Sequence, residues 1–337
     1  MIGNNGGESF GLDLKGYLNG MSIQRQELFI EVEDNKIYLD VRAINGGDID
    51  YYIDNIKYKL DCTTGDGIDG KARIELIQGT SEIPHLNLVY VAFSETNNKL
   101  ELIKSSIPPS NSYCVVSKLL LLDASLTSSN GPLINQRATE AITHNGRGAI
   151  AWEREAIRWG SGHSRLLSGC DQNFQISTNS VSEDNLDFAV TDGIVFQLHR
   201  QNFKNYSISE NGIYVSNSYG VGSFENYTKF TDLNSVLHEL KDGTTLDDGD
   251  CINAYIWGAV NYGDSSKLFI NLSSGKYTDS DEAIADLNKY IDYKIPSTFR
   301  TVSFPIAVLT LKWNTADNGT WSNLLTTPVS VWKSESS

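Results

Sequence analysis

The sequence contains no apolar run approaching the roughly 20 residues that cross a bilayer, so no membrane insertion is expected. Its opening, Met1-Ile2-Gly3-Asn4-Asn5-Gly6-Gly7-Glu8, lacks the basic and apolar regions of a secretory signal, and synthesis in a cytoplasm is expected. Positive charge is scarce: 27 Lys and Arg face 42 Asp and Glu, a formal net charge of −15. Phosphate recognition rests on clustered Lys and Arg, so nucleic acid and anionic membranes are poor partners. Cysteine is limited to Cys62, Cys114, Cys170 and Cys251. None forms a Cys-x-x-Cys pair or stands at zinc-site spacing from a histidine, so buried free thiols are expected.

Catalytic signatures are missing as well. There is no Gly-x-Ser-x-Gly, no His-Glu-x-x-His, no Walker loop and no Gly-x-Gly-x-x-Gly after a strand. The histidines, His85, His144, His163, His199 and His238, never fall at i, i+3 or i+4, and each is read as structural. No cofactor and no enzymatic activity are expected. A glycosidase needs two carboxylates across a cleft, and among 42 acidic residues the sequence singles out no such pair. Asp61 to Asp69 and Asp242 to Asp250 are acidic loops with the oxygen donors that Ca²⁺ takes. Neither follows the Asp-x-Asp-x-Asp-Gly…Glu pattern, and both are read as Gly-rich hairpin turns.

What is present is strand pattern. In a chain of 337 residues, 40% hydrophobic, there is room for two domains with their own cores. Residues 1–20, rich in Gly and Asn, read as a mounting arm. Lys36 to Arg42, Ile56 to Asp61 and Arg73 to Leu76 alternate with period two, the mark of half-buried strands. Leu86 to Phe93 is nearly continuous and predicts a central strand buried on both faces; another apolar run covers Tyr113 to Leu122. Asn45-Gly46-Gly47, Gly65-Asp66-Gly67 and Asn97-Asn98 punctuate these runs as turns. Residues 21–131 therefore read as a β-sandwich trunk.

Residues 132–168 read as a helical connector, with helices expected over Arg137 to Thr143 and Ala149 to Trp159. Trp152, Ala156 and Trp159 share one face of the second, a stripe that must pack on a sheet or on equivalent helices of neighbouring subunits. Residues 169–337 return to strands: Ile194 to His199, Cys251 to Val260, Leu268 to Leu272 and Val302 to Trp313. Two short helices are expected among them. Asp232 to Lys241 has Asp232 as N-cap, a face of Leu233, Val236, Leu237 and Leu240, and a stop at Gly243. Asp281 to Asn288 is capped from Thr278. The fold class is mainly β: two antiparallel β-sandwich or jelly-roll-like domains joined by a short helical connector. Aromatics mark candidate sugar contacts, since flat rings stack on sugar faces. Tyr262, with Asp264 beside it, is placed in an exposed turn, and Trp321 follows the turn Asp317-Asn318-Gly319; Trp257 and Trp313 are read as core.

Several segments form an ordered set: Ile107-Pro108-Pro109, Asn135-Gln136-Arg137-Ala138, Trp159-Gly160-Ser161-Gly162, Val195-Phe196-Gln197-Leu198-His199, Asp242-Gly243-Thr244, Ile256-Trp257-Gly258 and Gly319-Thr320-Trp321. This set resembles the trunk, connector and terminal domain of fibre-type proteins carried on double-stranded DNA virus particles, chiefly phages. One departure is that Trp321 is followed by Ser322-Asn323-Leu324-Leu325, where such domains often carry Leu-Arg-Gly. The resemblance implies a non-enzymatic virion-surface protein, a homotrimer mounted on other virion proteins through its N-terminal arm. It would present its C-terminal domain to host surface polysaccharide, as a tail or head fibre. Two other readings stand beside it: a purely architectural collar, baseplate or capsid decoration, and a bacterial carbohydrate-binding surface protein.

Overall fold

The structure is a computed structural model of the chain. It describes residues 21–137 and 164–328, less 23, 25, 45, 55, 64–66, 69, 108–111, 179–183, 197–199, 218–226, 262–265, 288–294, 300–301 and 316–318. The expected arm, most of the connector with Trp152, Ala156 and Trp159, and both Tyr262 and Asp264 lie outside the described residues.

The first half runs β1 (Met21–Ser22), β2 (Gln26–Glu33), β3 (Lys36–Ala43), β4 (Ile49–Ile53), β5 (Ile56–Leu60), β6 (Gly67–Ile68), β7 (Lys71–Glu75), β8 (His85–Ser94), β9 (Lys99–Ser105), β10 (Tyr113–Leu121), α1 (Ala124–Asn130) and β11 (Ile134–Arg137). These strands form three antiparallel sheets, in the orders β1-β4-β5, β2-β3-β7-β6 and β11-β10-β8-β9. The β2–β3 hairpin turns on Asp34 and Asn35, both at positive φ (48° and 60°). Two such residues match the right-handed strand twist, and Asn and Asp tolerate that region best. One core fills this half, with Leu39, Val41, Ile49, Tyr51, Val89 and Leu119 among its members. Fully burying a Leu, Ile or Val side chain contributes about 1.5–3 kcal/mol.

The second half runs β12 (Arg165–Gly169), β13 (Gln172–Thr178), β14 (Asp184–Val190), β15 (Gly193–Phe196), β16 (Arg200–Phe203), β17 (Tyr206–Ser207), α2 (Ile208–Asn211), β18 (Ile213–Val215), β19 (Thr228–Phe230), α3 (Asn234–Leu237), β20 (Cys251–Ala259), β21 (Lys267–Asn271), α4 (Ser280–Ala285), β22 (Ser303–Asn314) and β23 (Thr320–Pro328). A six-stranded sheet, β19-β18-β21-β20-β22-β23, carries two three-stranded sheets, β12-β15-β16 and β13-β14-β17, over a second core. All pairings are antiparallel except β18 with β21, where Tyr214 lies beside Phe269 and Val215 beside Ile270. The chain is mainly β, as its period-two runs predict.

The halves meet through a third core. Leu120, Leu122, Leu133 and Ile134 pack there with Tyr214, Tyr255, Trp257, Phe269 and Phe299. The reason is visible in two strands. In β10, Leu119 and Leu121 belong to the first core, while Leu120 belongs to the third. In β20, Ile252, Ala254 and Ile256 face the second core, while Tyr255, Trp257 and Ala259 face the third. Alternate side chains leave opposite faces of a strand, so an unbroken apolar run belongs to a strand covered on both sides.

Three local expectations change. The helix expected from Arg137 does not begin there: Arg137 closes β11 and pairs with Ser117 of β10. The helix expected over Asp232 to Lys241 shortens to α3, after which Glu239 bridges Thr245. Its apolar face, Leu233, Val236, Leu237 and Leu240, is nonetheless buried, and Gly243 turns at φ 83°. The last helix is capped by Asp279 and not Thr278, its Oδ1 accepting from the amides of Asp281 (2.7 Å) and Glu282 (3.1 Å).

Candidate functional site

Of the three residues assigned to sugar contact, the structure describes only Trp321, and it is a core residue. It is 5% exposed, its Nε1 donates to Asn234 Oδ1 (2.8 Å) and its ring lies 4.8 Å from that of Trp313. Its amide donates to Asp184 Oδ2 (2.6 Å). Trp321 pairs directly with Trp313 across β22 and β23, and side chains directly opposite in an antiparallel pair leave the same face. That face is turned inward, so nearness to a turn did not make the ring a surface group. Gly319, at φ 85°, allows the approach: a Cβ there would come within 2.5 Å of the Trp313 ring. Trp257 is fully buried and stacks on Phe269 at 4.3 Å, and its Nε1 donates to Asn271 Oδ1 (2.6 Å).

The carboxylates of the second acidic loop are engaged by groups of the chain itself, although only Asp250 is buried. Lys276 Nζ bridges Asp247 (2.7 Å) and Asp250 (2.6 Å), which raises the pKa of the lysine. Asp242 Oδ1 takes the Thr244 amide and Asp248 Oδ1 takes the Thr315 amide. No cluster of His, Cys, Asp and Glu that could hold a metal occurs among the described residues. In the first acidic loop Asp61 Oδ1 accepts from the Thr63 amide (2.9 Å), while Asp66 and Asp69 lie outside the described residues. All four cysteines are free and buried. Burial pushes the Cys62 thiol up to about 11 and those of Cys114 and Cys170 to about 12. Such thiols stay protonated and unreactive.

Two groupings have no single-residue signature in the sequence. The first lies on the β2-β3-β7 face that points away from the first core. Asp40, fully buried, accepts from Arg73 Nε (2.7 Å) and lies 2.6 Å from Lys71 Nζ. Arg73 reaches on to Glu31 and Glu33, and its guanidinium sits 4.9 Å from the Tyr38 ring centroid. Burial pushes the Asp40 carboxyl up, but the hydrogen bonds from Arg73 and Lys71 outweigh it and hold it below its ordinary value. The network could have been sought in the period-two outward residues, where Asp40 and Arg73 fall on neighbouring strands. Their register, Asp40 opposite Arg73, emerges only on folding.

The second grouping is a cleft of about 310 Å³ across the β12-β15-β16 sheet. It lies over the cross-strand row Ser168, Ile194 and Asn202, with Asp192 and Lys204 at its end. The strands approach closely because two positions are glycine. A Cβ on Gly169 would stand 2.2 Å from the Asp192 carbonyl oxygen, and one on Gly193 would stand 2.3 Å from Cys170 Sγ. Asp192 Oδ1 accepts from the Asn205 amide (2.8 Å), which fixes the carboxylate at the rim. Compared with known proteins, the chain matches no family model, no curated protein and no solved structure. The cleft is small for a ligand site, at the lower end of the roughly 300–1,000 Å³ usual for small-molecule pockets. Its lining mixes hydroxyl, carboxylate, amide and ammonium groups over an apolar floor, a set suited to binding.

Proposed function

We propose that this chain is a structural component of a virus particle, of fibre type, that carries its second half outward toward a host surface glycan. The observation that supports this reading best is the junction core. Trp257, Phe269 and Phe299, with ring centroids 4.3–5.1 Å apart, lock the second half onto Leu120, Leu122, Leu133 and Ile134 of the first. Polar ties run beside the rings. Asn261 Oδ1 accepts from the Asn135 amide and its Nδ2 donates to the Leu133 carbonyl. Lys267 and Lys229 both donate to Asn130 at the end of α1. A mount and a presented domain held as one rigid piece suit adhesion, in which a force on one must reach the other.

The architectural reading is favoured by a different observation. Trp321, the described member of the expected sugar-binding set, is buried. A collar or decoration protein needs a rigid body and no ligand site.

Two measurements test the proposal. Light scattering after gel filtration should give about three times the 37.3 kDa subunit mass, the trimer that fibre-type proteins adopt. An antibody raised against the chain should label purified virus particles in electron micrographs. A monomer together with unlabelled particles would overturn the reading.

A further inference from the structure

We propose that the cleft across β12, β15 and β16 is a saccharide subsite, with Phe196, which stands outside its lining on the same strand face as Ile194, as a stacking platform at its edge. This rests on the attachment reading and gives it a place of contact. Phe196 is 43% exposed. It stands two residues beyond Ile194, so both side chains leave the same face of β15. Asn202 is paired directly with Ile194, which makes Asn202 and Phe196 diagonal neighbours about 7–8 Å apart, a separation one bound sugar ring can bridge. Leu167, at the bulge in the neighbouring β12, is 42% exposed.

The chemistry of the lining selects the ligand class. A pyranose has an apolar C–H face and a rim of hydroxyls, each both donor and acceptor. Phe196 and Ile194 meet the face. Ser168 offers a hydroxyl, Asn202 a donor and an acceptor, and Asp192 a carboxylate acceptor. Asp192 Oδ2 has no hydrogen-bond partner among the described residues, while Oδ1 is held by the Asn205 amide. Lys204 adds an ammonium at the cleft's end, but the Asp192 carboxylate beside it and the net charge of −15 disfavour a phosphate-bearing ligand. A purely apolar ligand would leave the polar rim unpaired, which costs free energy. The mixed rim over an apolar floor is what a sugar unit of a surface polysaccharide satisfies. A single small subsite binds weakly, and three copies on one particle protein would raise the effective strength by avidity.

The test uses the full chain on an array of bacterial surface oligosaccharides, neutral and uronic-acid-containing, followed by calorimetric titration of the strongest binder. Phe196→Ala and Asn202→Ala should each weaken binding at least tenfold, and Phe29→Ala, which removes a similarly exposed ring from the first half, should leave it unchanged. Both replaced side chains are exposed, so thermal unfolding of the variants should match the parent. Binding that survives the double variant Phe196→Ala/Asn202→Ala overturns the inference, as does a parent chain that binds no oligosaccharide. If particles are still labelled by antibody when either of these occurs, the subsite falls and the particle reading stands. Unlabelled particles with glycan binding intact would do the reverse.

Discussion

Asp40 shows how one side chain can hold a surface together. It points to the outward face of its sheet and yet is fully buried, because Arg73 and Lys71 close over it. Removing the buried charge leaves Arg73 and Lys71 only the more exposed Glu31 and Glu33 as partners, and breaking a buried ion pair costs more than the pair contributes. Asp40→Asn should therefore lower unfolding stability by about 3 kcal/mol, measured by urea denaturation at neutral pH. The pH dependence follows from the same group. Its folded pKa lies below the ordinary 3.8, so the unfolded chain binds the proton more readily. The stabilisation is complete above that ordinary value and is lost as pH falls through the folded value. The parent should lose stability at acid pH more steeply than Asp40→Asn, and parallel acid titrations would contradict this account. Lys118 and Lys267 run the other way: burial depresses both to about 8, so each weakens the fold at neutral pH and stops doing so as pH rises.

At the scale of elements, caps and runs decide the outcome. Asp279 holds two amides of α4, and that helix covers β20. Asp279→Ala should cost about 1 kcal/mol, while Asp279→Asn should cost much less because its carbonyl oxygen still caps; equal losses for both would show that the cap is idle. The sequence points to Thr278 because its spacing to Asp281 resembles a capping box, one step out of register with the helix that forms. Strands were more legible than helices. Alternation in Lys36 to Arg42 and Arg73 to Leu76 marks β3 and β7 directly. The continuous run in Leu86 to Phe93 marks β8, which sits between β9 and β10. Asp232 to Lys241 carried a true apolar face, but four residues of helix and a turn present that face as well as ten residues of helix would. The burial of Trp321 is not legible in the pattern for another reason. Which face of β23 looks inward depends on pairing with β22, a contact between residues that pattern alone does not align. The cleft was out of reach for the same reason, since it draws on Ser168, Asp192 and Asn202 from separate strands and turns.

For the whole molecule, the third core ties the two halves together. Trp257 is fully buried between the halves, in contact with the rings of Phe269 and Phe299. The parent should unfold in one calorimetric transition. Trp257→Ala should remove about 3–5 kcal/mol and separate that transition into two, one for each remaining core. Two transitions in the parent would mean that the junction does not couple the halves. The four cysteines turn this into something that can be watched residue by residue. Cys62 and Cys114 lie in the first core, Cys170 in the second, and Cys251 beneath α4. The native chain therefore hides its thiols from alkylating dyes, yet carries two reporters in each half, already in place without engineering. A brief pulse of dye during heating, followed by peptide mass mapping, records which half opens and in what order.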